Sequence, residues 1–516
     1  MASQIDRRQF LRFSAGLAGL STAGAFGLQL AAAGSAAGAT ATDYKAIVCI
    51  FLYGGNDANN MVLATDTDTW GRYFATRNQG TDPIALMPVG TAAVAVGQTS
   101  TVTGRVVANL AKPEAWGGVL PIVPKTAQAV PAGTNATSRT FGLHPLMQPA
   151  KDLFDAGRLA VLANVGPLIQ PTTKAQYVAK SVQLPASLMS HNDQQSIWQA
   201  GAAEGARIGW GGQMGDLVAS MNGQNTLFTA ITTSGSAVFL SGNSIVQYPL
   251  SNSAAPAIKV NGVTATSLFS DKTAPATLQA IMNDTTTASD FSNDYAAIDA
   301  RSISAAGVVN TAFAQSVVTA IPAPPTYTNP TKGTTEANGI ATQLLTVARM
   351  IAAGPSLGLK RQVFLVNGGG YDSHDTQNPD QGDNLAKLAQ ALSYFDSALS
   401  NLGGTDMRPN VTTFTASDFN RTFNTNGDGT DHAWGSHHLI MGGAVNGGDM
   451  YGQFPTWGMD ASGFTNPDAS GAILVPTTSV DQYAATLGGW FGVGASDLNT
   501  IFPNLKNFAK PNLGFV

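Results

Sequence analysis

One cysteine, Cys49, serves a chain of 516 residues, so no internal disulfide can form and an oxidising compartment would be tolerated without being exploited. It lies inside the apolar run 46–52 with no lipid-anchor pattern ahead of it, and reads as a small packed hydrophobe. Charge is scarce as well. Charged residues make up 11% of the chain, against roughly 25% in ordinary soluble domains, so Gly, Ser, Thr, Asn and Ala must fill the surface. The formal net charge is −5, with no basic stripe and no basic-aromatic interleaving, which argues against a nucleic-acid partner. Beyond the first 40 or so residues no long uncharged apolar run remains, so no stable membrane insertion is expected of the mature chain.

What is present begins with a leader. Asp6-Arg7-Arg8-Gln9-Phe10-Leu11-Arg12 precedes a Gly- and Ala-rich, weakly apolar stretch at 13–33, and small residues then run to Thr42. Charged start, apolar middle and small-residue end form an export signal, excluded from fold reasoning at 1–40. Paired arginines followed by Phe-Leu match the twin-arginine type, read by its own export machinery, and imply a periplasmic or secreted protein. Such substrates cross the membrane folded, so a metalloprotein would take up its ion in the cytoplasm.

Residues 41–516 are long enough for one large α/β domain with an insertion. Residues 44–53 (YKAIVCIFLY) read as a buried strand stopped by Gly54-Gly55. Further strands are expected at 159–165, 227–234, 237–240, 362–366, 411–415 and 439–441, with helices at 145–157, 191–200, 336–353, 383–402 and 480–491. The stretch 65–140 is rich in turn residues and reads as irregular. Alternating strands and helices imply a mostly parallel sheet covered on both faces. From about 247 to 335 the chain is rich in Ala, Ser, Thr and Asn and ends in a Pro-rich linker, which reads as an insertion or lid.

Histidine is used sparingly and in short polar motifs. The six are His144, His191, His374, His432, His437 and His438, four of them between Gly370 and His438. Three apolar strands are each followed by a polar turn carrying an aspartate: Asp57, Asp372 and Asp418. In open α/β sheets ligands bind outside the carboxyl ends of the strands. Three carboxylates brought to that edge repel one another unless a cation sits between them. With His374 two residues past Asp372, the pattern points to a divalent-metal site, zinc ahead of calcium or magnesium. Ser190-His191-Asn192-Asp193 starts a short helix, where Ser190 is either an anion-facing hydroxyl or a plain N-cap.

The leader, Gly54-Gly55-Asn56-Asp57, Leu143-His144-Pro145-Leu146, Ser190-His191, Tyr371-Asp372-Ser373-His374, Ser417-Asp418-Phe419-Asn420-Arg421-Thr422 and Asp431-His432-Ala433-Trp434 occur in this order over essentially the whole chain. That series resembles the exported bacterial family labelled domain of unknown function 1501, itself distantly similar to the alkaline phosphatase and sulfatase superfamily. The resemblance implies a three-layer α/β/α sandwich and a two-metal site for phosphate or sulfate esters of small molecules or polymers. It implies Asp57, Asp372, His374, Asp418 and His432 as ligands and Ser190 as nucleophile. His437 or His438 is a candidate substitute ligand, and Arg421 reads equally as a bidentate contact to the oxyanion or as a structural salt bridge. Two departures stand out. Phe419 occupies a position where the superfamily has histidine, and Asp372 to His374 is a two-residue step where it usually has four. A competing expectation is a non-catalytic envelope or polymer-binding protein on a degraded scaffold of the same kind. The leader supplies the first testable outcome: Arg7→Lys with Arg8→Lys should leave the precursor in the cytoplasm. Normal periplasmic accumulation, read by fractionation, would exclude the twin-arginine reading.

Overall fold

The run KAIVCIFL forms the central strand β1 (Lys45–Leu52) because its β-branched and aromatic residues suit a pleated surface buried on both sides. Its alternation divides the molecule. Ala46, Val48, Ile50 and Leu52 enter one hydrophobic cluster, and Ile47, Cys49 and Phe51 the other. The computed structural model describes residues 43–130, 137–252, 262–263, 265–287, 289–456 and 468–516, so the leader expected at 1–40 lies outside the described residues.

Eight further strands join β1: β2 (Leu159–Gly166), β3 (Ala230–Thr232), β4 (Tyr248–Pro249), β5 (Arg361–Gly368), β6 (Val411–Ser417), β7 (Ser436–Met441), β8 (Met450–Gly452) and β9 (Thr478–Ser479). Their order in space is β8-β2-β7-β6-β1-β5-β3-β4, with β9 also on β2. Pairing is parallel everywhere except at β7, which runs antiparallel to both β6 and β2. The protein is therefore α/β with a mixed, mostly parallel central sheet.

Eight of the helices matter for the argument: α1 (Thr67–Arg77), α2 (Gln148–Asp155), α3 (His191–Ala200), α4 (Trp210–Val218), α5 (Asp290–Phe313), α6 (Gly339–Ala353), α7 (Gln377–Leu399) and α8 (Val480–Phe491). Buried residues of α2, α5, α6 and α7 share one cluster with one face of the sheet, and those of α3, α4 and α8 share the other. Within the segment expected as an insertion, α5 packs inward through Val309, Ala312 and Phe313. Among the described residues no helix is long and apolar enough to cross a membrane.

Three local departures from the sequence reading have physical causes. Residues 238–240 form a 3-10 turn rather than a strand, because the chain bends over the glycine-rich start of α4. Side chains at Gly209, Gly211 or Gly212 would collide with that turn. Helix α7 starts at Gln377, six residues early, with Pro379 in its first turn, where a missing N–H costs nothing. Helix α1 lies in the stretch read as irregular: its N-cap Asp66 accepts from Thr69 N at 3.2 Å, and Thr69, Tyr73, Thr76 and Arg77 are buried.

Helix α8 carries a titrating weak point. Asp481 is buried in its first turn, one carboxylate oxygen lacks a partner, and burial pushes the carboxyl up to about 6. The folded state then holds the proton more tightly than the unfolded chain, whose value is near 3.9. Stability should therefore fall by up to about 3 kcal/mol as pH rises from 4 towards 6, and level off above that. Denaturant midpoints across that window check it. Asp481→Asn should flatten this part of the profile, and an unchanged profile would refute the assignment.

Candidate functional site

The loops after β1, β5 and β6 leave the sheet side by side, because those strands are adjacent and parallel. They carry Asp57, Asp372 and Asp418. Antiparallel β7 begins where its neighbours end, so the segment just ahead of it, with Asp431 and His432, is delivered to the same edge. The start of α3 adds Ser190 and His191.

Close approach of the loops depends on two glycines. Gly54 and Gly55 have φ of +112° and +83°, and a Cβ on them would strike the Asp372 backbone and the Phe419 ring respectively. Gly54 N donates to Asp418 Oδ1 at 3.2 Å, Asn56 N to Ser417 Oγ at 2.9 Å, and Ala58 N to Asn420 Oδ1 at 2.9 Å. The β1 and β6 loops are thus stitched together beneath the surface.

At the surface three imidazoles and one carboxylate converge. His191 Nε2 lies 3.5 Å from Asp372 Oδ2, and His374 Nε2 and His432 Nε2 lie 3.4 and 3.7 Å from Asp372 Oδ1. The Nε2 atoms of His374 and His432 are 2.9 Å apart. His191, Asp372 and His432 each offer a ligand-type atom within 4.8 Å of the others.

The opposite ring nitrogens are all tied down. His191 Nδ1 is 2.7 Å from Asp418 Oδ2, His374 Nδ1 is 3.3 Å from Asp431 Oδ1, and His432 Nδ1 is 2.9 Å from the Met189 carbonyl. A carbonyl only accepts, so His432 carries its proton on Nδ1. Asp418 already accepts from Gln195 Nε2 at 2.8 Å and from Gly54 N, so His191 is assigned the same tautomer from its partner, and His374 likewise from Asp431. Neutral rings in that state bring the Nε2 lone pairs of His374 and His432 against each other and all three beside one carboxylate. That is an unfavourable gathering unless a cation, a proton or a metal ion, lies among them.

The charges respond accordingly. The hydrogen bond to Asp418 lifts His191 above the ordinary imidazole value, against the opposing effect of burial. Burial holds His432 below it. Burial pushes the Asp372 carboxyl up, but its hydrogen bond and ion pair with Arg421, joined by His191 and His374, outweigh this and hold it low. Asp372 and His374 side chains are each 48% exposed, so the cluster opens to solvent on their side. Phe419 closes the other side, 4.4 Å and 4.8 Å between ring centres from His432 and His191.

Several residues expected in the ligand set stand elsewhere. Asp57 is on the expected edge but buried, both oxygens engaged by Arg77 and one also by Gln377 Nε2 at 2.6 Å. Asp418 reaches the cluster only through His191. Arg421 is fully buried, and Nε, Nη1 and Nη2 donate to the carbonyls of Gly55, Thr430 and Gly54, with Nη2 also on Asp372. Buried among these acceptors, Arg421 holds Asp372 in place.

His437 is not near the cluster either. Strand alternation turns it into one core, against Phe454, with Nδ1 accepting from Asn164 N at 3.0 Å, and burial pushes it down to about 3. His438 faces the opposite core beside Trp198. Ser190 stands at the N-cap of α3 without a side-chain cap hydrogen bond, and its hydroxyl helps hold the Asp193 carboxyl below the usual carboxylate value. The ligand-type residue the sequence reading passed over is His191. A signal existed: His191 and Gln195 are one helical turn apart, and both reach Asp418.

The molecule is thus an α/β protein whose sheet edge gathers three imidazoles around a carboxylate. The chain belongs to the family described as protein of unknown function (DUF1501), whose profile matches residues 44–502. No curated protein matches the sequence. Among solved structures, one titled "Crystal structure of Ps i-CgsB in complex with k-i-k-neocarrahexaose" is similar over 70% of this chain and 71% of that one. It is 10% identical, with a TM-score of 0.29, a level that carries no argument.

The buried pair beneath the site sets a stability test. Arg77 and Asp57 side chains are both 0% exposed, and removing one partner strands the other charge. Arg77→Met should cost about 3–5 kcal/mol, read from denaturant unfolding. A loss below 1 kcal/mol would show that the pair is not a buried anchor.

Proposed function

We propose that this protein is an exported metal-dependent hydrolase of phosphate or sulfate esters, with one divalent ion held by His191, Asp372, His374 and His432. The observation that carries the metal is the convergence of three Nε2 atoms on one carboxylate, each ring's Nδ1 being committed to an acceptor. Tetrahedral zinc with ligands at about 2.0–2.1 Å needs neighbouring ligand atoms roughly 3.3 Å apart; His191, Asp372 and His432 offer atoms within 4.8 Å of one another, and His374 Nε2 lies 3.4 Å from Asp372 and 2.9 Å from His432. Three imidazoles favour zinc over calcium or magnesium. The ester class rests on the motif resemblance to the phosphatase and sulfatase superfamily, as does export on the leader.

A bound zinc ion would polarise an ester oxygen and make nearby water more acidic. The chain's own residues hold the geometry. Asp418 and Gln195 fix His191, Arg421 fixes Asp372, and Phe419 keeps water from the rear of the imidazoles. The attacking group is water on the open side or the Ser190 hydroxyl. A second reading, a metal-holding protein without turnover, is favoured by Phe419 and by the engagement of Asp57 with Arg77 and of Asp418 with His191 and Gln195, which leave the expected second-metal half without free ligands.

Purified protein should contain about one zinc per chain, and His191→Ala or His432→Ala should lose most of it. Chelation should abolish hydrolysis of aryl phosphate or sulfate, and zinc should restore it. In the same assay Ser190→Ala separates the attackers: loss of turnover with zinc retained assigns the serine, unchanged turnover assigns water. Zinc without turnover on either ester supports the second reading, and no zinc at all removes both.

A further inference from the structure

We infer that Met189 is a positioning residue: its backbone carbonyl, aimed by a left-handed conformation, fixes the His432 ring so that Nε2 faces the cluster. The inference deepens the metal-centre reading and rests on it for its consequence, though not for its geometry.

The carbonyl accepts from His432 Nδ1 at 2.9 Å, across 243 positions of sequence. Met189 has φ of +68°, a conformation uncommon for a residue with a side chain. Ser187, two residues earlier, has φ of +45°, and Ser190 N donates to Ser187 O at 3.1 Å. Residues 187–190 are thus a tight reversal ending where α3 begins with His191. One short loop therefore sets two of the four cluster residues: His191 by continuity of chain and His432 by hydrogen bond.

The reversal is held from outside the site. Leu184, Leu188 and Met189 pack, with Tyr177, against a small cluster that includes Leu168, Trp434 and Phe508. Trp434 is two residues past His432, so the packing that seats the loop also seats the segment it positions. Such packing explains how a left-handed Met is retained. A partner of this kind sets which ring nitrogen carries the proton, and losing one typically costs 10–100-fold in metal affinity.

Substitutions at Met189 separate the carbonyl from the side chain. Glycine adopts the left-handed conformation freely and keeps the carbonyl in place, whereas proline, with φ fixed near −65°, cannot. In the full mature chain, Met189→Gly should keep the Nδ1–H tautomer of His432, seen in nitrogen-15 ring spectra in mildly alkaline buffer. Met189→Pro, where it folds, should give mixed tautomers and bind zinc roughly 10–100-fold more weakly in competition with a chromophoric chelator.

A proline variant that folds and keeps the pure Nδ1–H tautomer would overturn the inference. If proline prevents folding, Met189→Val, averse to positive φ but without the ring, should shift tautomer and affinity the same way by less, and wild-type values for it would overturn the inference equally. Should the wild type take up no zinc, the metal-centre reading fails, while the tautomer comparison still decides the role of Met189.

Discussion

A guanidinium with no access to water has to find acceptors for its N–H groups inside the protein, and at the carboxyl edge of this sheet that demand falls on Arg421. It meets the demand with carbonyls of the β1 loop (Gly54, Gly55) and of the segment before β7 (Thr430), and with Asp372 from the β5 loop. Three separate chain segments are therefore held to one centre of charge. A buried cation without these partners would be strongly destabilising, so the loops are constrained as a set. The side chain of Asp372 is half-exposed and yet fixed, because one of its oxygens belongs to that buried network.

The direction of β7 is the second determinant. Were it parallel to its neighbours, Ser436 would lie at the amino edge and His432 would be a sheet's width from Asp372. Running antiparallel, it lets a short excursion from Asp418 to Ser436 stay on one edge, so Asp418, Arg421, Asp431 and His432 all come from a single stretch of chain. The reversal also explains why His437 and His438, so close in sequence to His432, do no chemistry with it. Within the strand, alternation sends one to each core.

The strands and most helices were legible because their signals are local: continuous apolar runs before Gly54, Asn367 and Ser417, and helical spacing at 383–402. The carboxyl edge was legible too, since parallel strands must end together. The identity of the ligand-type atoms was not. Asp57 follows its strand just as Asp372 does, and what sets it apart is Arg77, at the end of a helix whose Thr, Gly and Asp content gives it little propensity of its own. That helix forms through burial of Tyr73 and Arg77, which no local pattern announces. The Met189 carbonyl had no signal at all, because a backbone acceptor is supplied by conformation and not by residue type. Asp418 was correctly placed at the edge, but whether it faces a ligand or orients one depends on His191, 227 positions away.

The central strand also has a polarity: its two ends lie at opposite rims of the sheet. Lys45 opens β1 at one rim of the sheet, and the imidazoles sit past Leu52 at the other, about 26 Å away along eight extended residues. Whatever precedes residue 43 is attached on the far side of a closed hydrophobic slab from the chemistry. On the proposed reading, a receptor bound to the leader and an ion held among the histidines would use opposite poles of the molecule, and neither event would have to wait for the other.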